Sequence, residues 1–174
     1  MHRTTLRTKN YLIAAFAVIV CVIFDQWTKM LAIANLKDQT PFVIWEGVFK
    51  LQYLENRGAA FGIFQNKQIY FIVSAIIIFI VAVWFYTKVP MNKRFLPIRI
   101  CAVLICAGGI GNLIDRLRFN YVVDFFYFEL INFPIFNVAD IYVTLAAVAL
   151  ICLIMFYYKE EEIDSLFNMI GWKK

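Results

Sequence analysis

Four long apolar runs divide the chain. They span about Tyr11 to Ala34, Gln68 to Thr87, Phe95 to Leu117 and Asn137 to Tyr158. Each is near the ~20 residues that cross ~30 Å of hydrocarbon at about 1.5 Å per residue, so each predicts a transmembrane helix. The first run becomes polar near its end, at Asp25-Gln-Trp-Thr-Lys29. The third does so at Gly108-Gly-Ile-Gly-Asn-Leu-Ile-Asp-Arg116.

Two patterns between the runs differ. In Phe49-Lys-Leu-Gln-Tyr-Leu-Glu55, Phe49, Leu51 and Tyr53 fall on one face, with Lys50 and Gln52 on the other. That alternation, punctuated by Gly47 and Gly58, predicts a strand. The stretch Tyr121–Phe133 is too apolar for a free loop and too short, with two acids, to span. It predicts an interfacial, half-buried segment and a candidate lid. The run Glu160-Glu161-Glu162 reads as a solvated tail.

The basic residues set an orientation. Arg3, Arg7 and Lys9 precede the first run, Lys88, Lys93 and Arg94 join the second to the third, and Lys159, Lys173 and Lys174 end the chain. The positive-inside rule puts these regions and both termini in the cytoplasm. The expected fold is therefore an all-α membrane protein with four transmembrane helices, a small extracytoplasmic β-element and an interfacial helical segment. It forms a single integral membrane domain over residues 1–174. The helices fall at about 11–34, 68–87, 95–117 and 137–158. Residues 35–67 and 118–136 are extracytoplasmic, and residues 159–174 are a cytoplasmic tail. The basic start, apolar stretch and Ala32-Ile-Ala34 also fit a cleaved signal peptide. The acid and base that follow the apolar stretch, on one helix face, favour a retained helix.

Composition agrees. The chain is 63% hydrophobic and 17% charged, against about half and a quarter in soluble domains. Its mean hydropathy is +0.72. The net charge of +5 fits the orientation rule, and no basic run interleaved with aromatics points to nucleic acid. Cys21, Cys101, Cys106 and Cys152 lie in apolar runs without a CxxC pair, and His2 is the only histidine. No zinc site, HExxH motif, Ser–His pair or activated cysteine is expected.

Of twelve acidic residues, four lie within or against spanning segments: Asp25, Asp115, Asp124 and Asp140. An ionisable group there costs at least a few kcal/mol, so each needs a partner or a task. Lys29, four residues after Asp25 on the same face, supplies an ion pair. Asp115, beside Arg116 and about a turn after Asn112, suggests a polar network. Arg116 could also hold a substrate backbone or headgroup. Asp124 and Asp140 have no cation near them in sequence and stand sixteen residues apart, across the interfacial segment. Two carboxylates sharing one site would share a proton and serve as base and acid. Spacing does not decide between that role and separate backbone caps.

Five stretches, in order, together resemble the bacterial lipoprotein signal peptidases, or signal peptidase II. They are Asp25-Gln-Trp-Thr-Lys29, Asn56-Arg-Gly-Ala-Ala-Phe-Gly62, Gly111-Asn-Leu-Ile-Asp-Arg116, Val122-Val-Asp-Phe125 and Phe136-Asn-Val-Ala-Asp140. The resemblance covers about Tyr11 to Tyr158 and implies a membrane-embedded aspartic endopeptidase. Such an enzyme removes the signal peptide of prolipoproteins before a diacylglyceryl-modified cysteine. It implies Asp124 and Asp140 as the catalytic pair. Asp25, Lys29, Asn56, Gly58, Asn112, Asp115, Arg116 and Asn137 would bind substrate or support the site. It also implies no metal or cofactor, inhibition by cyclic peptides of the globomycin type, and a site at the extracytoplasmic face of the inner membrane. Nothing demands more than a monomer among membrane lipid. The alternative is a small four-helix proton-coupled transporter relaying protons through Asp25 or Asp140. Such a protein places its acids near the midplane and often shows internal symmetry. Here the acids gather toward one face and the halves do not repeat. Intramembrane proteases of the presenilin class expect GxGD, where this chain has Gly109-Ile-Gly-Asn112.

Overall fold

A computed structural model describes residues 2–58, 67–169 and 171 of the chain. The end of the expected Asn56–Gly62 loop and the basic pair Lys173 and Lys174 lie outside the described residues. Helix α1 covers His2–Leu36, well past the start of its apolar run. Hydropathy marks the hydrocarbon span, whereas the polar first turns continue the helix beyond it. Strands β1, Phe42–Trp45, and β2, Phe49–Asn56, form an antiparallel hairpin. Its turn puts Gly47 at φ 68, a left-handed conformation that glycine adopts without a Cβ clash. Helix α2 is Gln68–Lys88 and α3 is Leu96–Phe119. Asn120 in the left-handed conformation ends α3, its N–H returning to the Arg116 carbonyl.

The segment after α3 departs from the expectation of an interfacial helix. Its helical content is the single turn Glu129–Ile131, and its larger part is a strand, β3, Val122–Phe128. β3 pairs antiparallel with β2, completing a sheet of order β1-β2-β3. Val122, Val123, Asp124 and Phe125 are all buried, so the polar alternation that marks a half-exposed strand is missing. The β-branched and aromatic residues suit a strand once β2 offers a partner. Val122–Phe128 is thus built into the sheet.

Helix α4, Val138–Cys152, continues as a π-helical turn to Tyr157. A short helix α5, Glu160–Met169, follows. The acidic run is thus helical, with Glu160 and Glu161 exposed and Glu162 half-buried. It forms the first turn of α5, where acids suit the helix dipole. The Arg94 guanidinium grips Glu162 at 2.9 and 2.8 Å. With the Lys159 N–H, it holds that carboxyl down at about 2. Leu166 packs with Val89, Phe95, Ile98 and Tyr158 beneath.

Among the described residues, four helices are long and apolar enough to cross a membrane: Arg7–Leu36, Gln68–Lys88, Leu96–Phe119 and Val138–Tyr157. In the most apolar stretch of α3, 44% of residues are buried, against 6% in α1 and in α2. α3 is therefore the central helix on which the others pack, and the outer helices offer their apolar side chains to lipid. Two glycines let α3 close on its neighbours. A Cβ at Gly108 would stand 2.5 Å from the Ala139 carbonyl oxygen. One at Gly111 would stand 2.5 Å from Asp25 Oδ2 and 3.2 Å from Ala139 Cβ. Gly111→Ala gains about 1 kcal/mol of helix propensity. Overpacking against these fixed neighbours costs about 1–3 kcal/mol. A lower melting temperature in detergent is the expected result, and an unchanged or higher one would contradict this packing.

Candidate active site

At one end of the bundle α1 and α3 bury a cation between two acids. Lys29 Nζ lies 3.0 Å from Asp25 Oδ2 and 3.0 Å from Asp115 Oδ2. All three side chains are almost wholly buried. Each acid also ties down a second element. Asp25 Oδ1 accepts the Ala139 N–H at 2.9 Å, at the start of α4. Asp115 Oδ2 accepts the Val123 N–H at 3.1 Å, in β3. Gln26 Nε2 donates to Asp115 Oδ1 at 2.9 Å and to Asp25 Oδ2 at 3.2 Å. Lys29 therefore anchors α1, α3, β3 and α4 at one point, and its third contact leads outward, to Asn112 Oδ1 at 2.9 Å.

Asn112 carries that anchor to a second pair of acids. Its Nδ2 donates to Asp140 Oδ1 at 2.8 Å, and its Oδ1 also accepts Asn137 Nδ2 at 3.1 Å. Asn137 is the N-cap of α4. Its Oδ1 accepts the Asp140 N–H at 3.0 Å, and Asp140 Oδ2 accepts the Asn137 N–H at 3.2 Å, a reciprocal capping box. The same Asn137 donates from Nδ2 to Asp124 Oδ1 at 2.6 Å. One buried amide thus bridges the strand that carries Asp124 and the helix that carries Asp140.

Sheet register supplies the last partner. Leu54 of β2 faces Asp124 of β3, and Asn56, two residues on, points to the same side. Its Nδ2 donates to Asp124 Oδ2 at 2.8 Å, and its Oδ1 accepts the Gly58 N–H at 3.0 Å. Every oxygen of the two carboxylates so accepts a hydrogen bond. Burial pushes the Asp124 carboxyl up to about 7, and the neighbouring Asp140 charge adds to it. The amides of Asn56 and Asn137, and Lys29, act the other way.

Both acids open onto a cleft of about 610 Å³ between α2 and α4, floored by α3. Asn56, Gly58, Asn112, Arg116, Asp124 and Asp140 line it, together with apolar residues such as Ile78, Ile105 and Leu145. Among the described residues the Arg116 guanidinium, 4.8 Å from the Phe71 ring centroid, makes only long bonds, 3.4 Å to the Gly58 carbonyl and 3.5 Å to the Asn112 carbonyl. Its buried Nε has no partner among the described residues. The arrangement sets two neighbouring acids, one with its carboxyl pushed up by burial, beside the Arg116 guanidinium in a largely apolar groove.

All ten residues singled out in the sequence meet at this end of the molecule. Six line the cleft, while Asp25, Lys29, Asp115 and Asn137 stand behind it. Asp115 pairs with Lys29 across helices, not with its neighbour Arg116. Gln26, which clasps both structural acids, was missed, although it lies within the Asp25–Lys29 stretch.

A family model described as signal peptidase (SPase) II matches residues 17–156. A lipoprotein signal peptidase of Clostridium tetani (strain Massachusetts / E88) is 42% identical over 148 residues, 83% of this chain and 91% of that protein. One of Streptococcus thermophilus (strain CNRZ 1066) is 39% identical over 145 residues, 83% of this chain and 92% of that protein. A solved structure of a bacterial membrane enzyme, obtained by the in meso method, superposes with a TM-score of 0.71. It is 31% identical and covers 85% of this chain and 92% of its own.

Proposed function

The chain belongs to the signal peptidase II family, and on that premise we propose that it hydrolyses prolipoproteins with Asp124 and Asp140 as an aspartic catalytic pair. The observation that carries the proposal is the Asn137 bridge. It ties one carboxyl whose proton is held up to about pH 7 to a second acid in the same cleft. The ionised member takes a proton from water as its oxygen attacks the scissile carbonyl carbon. The protonated member gives its proton to the carbonyl oxygen. Collapse of the tetrahedral intermediate then breaks the C–N bond: one of its hydroxyls returns a proton to the acid that had protonated the carbonyl oxygen, and the leaving amine takes up the proton drawn from the water. Arg116 donates to the peptide carbonyls, and the Gly58 backbone lies alongside them. The remaining residues position the pair: Asn112 and Asn137 directly, Asn56 through Asp124, and Asp25, Lys29 and Asp115 from behind.

The substrate is a signal peptide followed by a diacylglyceryl-modified cysteine, whose apolar parts suit a groove open between α2 and α4. Both termini face the cytoplasm and the site faces outward, in keeping with the basic α2–α3 connection at the end remote from the acids. A monomer among lipid suffices, and cyclic peptides of the globomycin type would occupy the cleft. The proton-coupled transporter reading has no support: Asp25 is locked between Lys29 and a backbone amide.

Purified protein in detergent is expected to cleave a diacylglyceryl-modified prolipoprotein, spare its unlipidated form and be blocked by a globomycin-type peptide. A folded preparation that cuts neither form would overturn the reading. The pair also predicts a pH profile. Losing the shared proton leaves two charges and no acid, so kcat/KM should fall above about pH 7. Asn56→Leu removes a donor that favours the ionised Asp124, so this limb should move to higher pH. A limb that stays in place in that variant would assign the titration to another group.

A further inference from the structure

A second groove lies away from the acids, where α1 and α2 flank α3 near the basic end of the bundle. Tyr11, Ala14 and Val18 of α1, Val83 and Tyr86 of α2, and Ala102 of α3 line it, enclosing about 400 Å³. A helix about 10 Å across would fill that volume within roughly one turn. The groove is therefore sized for a flexible chain rather than a neighbouring helix, and its lining is apolar along its length.

Its inner end is polar and positive. Arg7 Nη2 donates to the Thr87 carbonyl at 3.2 Å, joining α1 to the end of α2. The Tyr86 hydroxyl donates to the Asn10 carbonyl at 3.3 Å beside it. One helical turn before Ala102 stands Arg99, only 4% exposed. Its Nη1 meets the Met91 sulfur at 2.8 Å and its Nη2 the Asn92 carbonyl at 3.1 Å, while Nε has no partner among the described residues. A cation in the first turn of a helix opposes the positive end of the dipole. A buried charge without a counter-charge is costly. Among the described residues, Arg7, Lys9, Lys88 and Arg99 enter no ion pair. The Glu162 carboxylate is already held by Arg94.

We propose that this groove is a binding site for one anionic phospholipid, with an acyl chain along α1, α2 and α3 and the phosphate at Arg7 and Arg99. The charge of the site calls for an anion, and the adjoining apolar channel calls for an anion that carries a hydrocarbon chain. The site is separate from the catalytic cleft, and the proposal does not rest on the peptidase mechanism.

The test uses the full chain in zwitterionic detergent, given phosphatidylglycerol, phosphatidylcholine of the same acyl chains, or inorganic phosphate. Native mass spectrometry and the melting temperature are read together. One retained phosphatidylglycerol and a raised melting temperature are expected, with little effect of phosphatidylcholine and none of inorganic phosphate. Arg7→Gln, an exposed position, should weaken phosphatidylglycerol binding about tenfold, as loss of a charged hydrogen bond implies. Ala14→Phe should block the channel and lower retention with every charge in place. Arg99→Gln is the sharper variant if it folds, and the other two suffice if it does not. Equal retention of the two lipids would overturn the proposal, as would stabilisation by inorganic phosphate alone or an undiminished preference in both Arg7→Gln and Ala14→Phe.

Discussion

Asp124→Asn and Asp140→Asn are each expected to lower cleavage by about 10²–10⁴-fold or more, the share usually carried by general acid–base groups. Either change leaves one titratable carboxyl where the proposed mechanism needs two. The two variants should differ in stability, which separates chemistry from folding. Asp124 is buried and its carboxyl is held up to about 7, above the ordinary 3.8. A group whose folded value is raised stabilises the fold while protonated, and that contribution is lost as pH rises from about 4 through about 7. Asparagine does not ionise, so Asp124→Asn escapes this loss and should melt no lower than the parent at pH 8. Asp140→Asn weakens one arm of the capping box at the start of α4. It should cost up to about 1 kcal/mol. Near-normal turnover by either variant would remove the pair from the mechanism.

Much of this arrangement was legible before the fold. The apolar runs located four helices because lipid imposes length and composition together. The Asp25–Lys29 spacing marked an ion pair because four residues bring side chains to one helix face. The polar last turns of the third run marked the wall on which Asn112 and Arg116 stand. What could not be read depends on partners distant in the chain. β3 shows no alternation because its first four residues, Val122–Phe125, are buried on both faces. Asp115 looked like a neighbour of Arg116 and is instead held by Lys29 across helices. Spacing offered two roles for Asp140, cap or half of an acid pair. Its Oδ2 accepts the Asn137 N–H while its Oδ1 faces Asn112 in the cleft, so the roles are compatible. The charges of α5 read as a tail because nothing in the sequence links Glu162 to Arg94.

Lys29→Met should show that the buried cation supports both the fold and the reaction. Methionine keeps much of the volume but leaves Asp25 and Asp115 buried without their cation. Breaking a buried pair in this way costs about 3–5 kcal/mol, so a large fall in melting temperature is expected. A second consequence concerns Asn112. An ammonium can only donate, so Lys29 obliges the Asn112 oxygen to face it, which turns the Asn112 NH2 toward Asp140. Without Lys29 the Asn112 oxygen keeps only the Asn137 NH2, at 3.1 Å, so the amide is held less firmly against Asp140. The fraction that still folds should therefore cleave more slowly, with kcat reduced more than KM is changed. Adding Asp115→Asn to Lys29→Met removes one uncompensated charge and should recover part of the stability but not the rate, because the Asn112 orientation is not restored. If Lys29→Met keeps the parent's melting temperature, the buried cluster is not what holds α1, α3, β3 and α4 together. If the double variant recovers rate along with stability, Lys29 acts through folding alone and the path through Asn112 to Asp140 carries no chemistry.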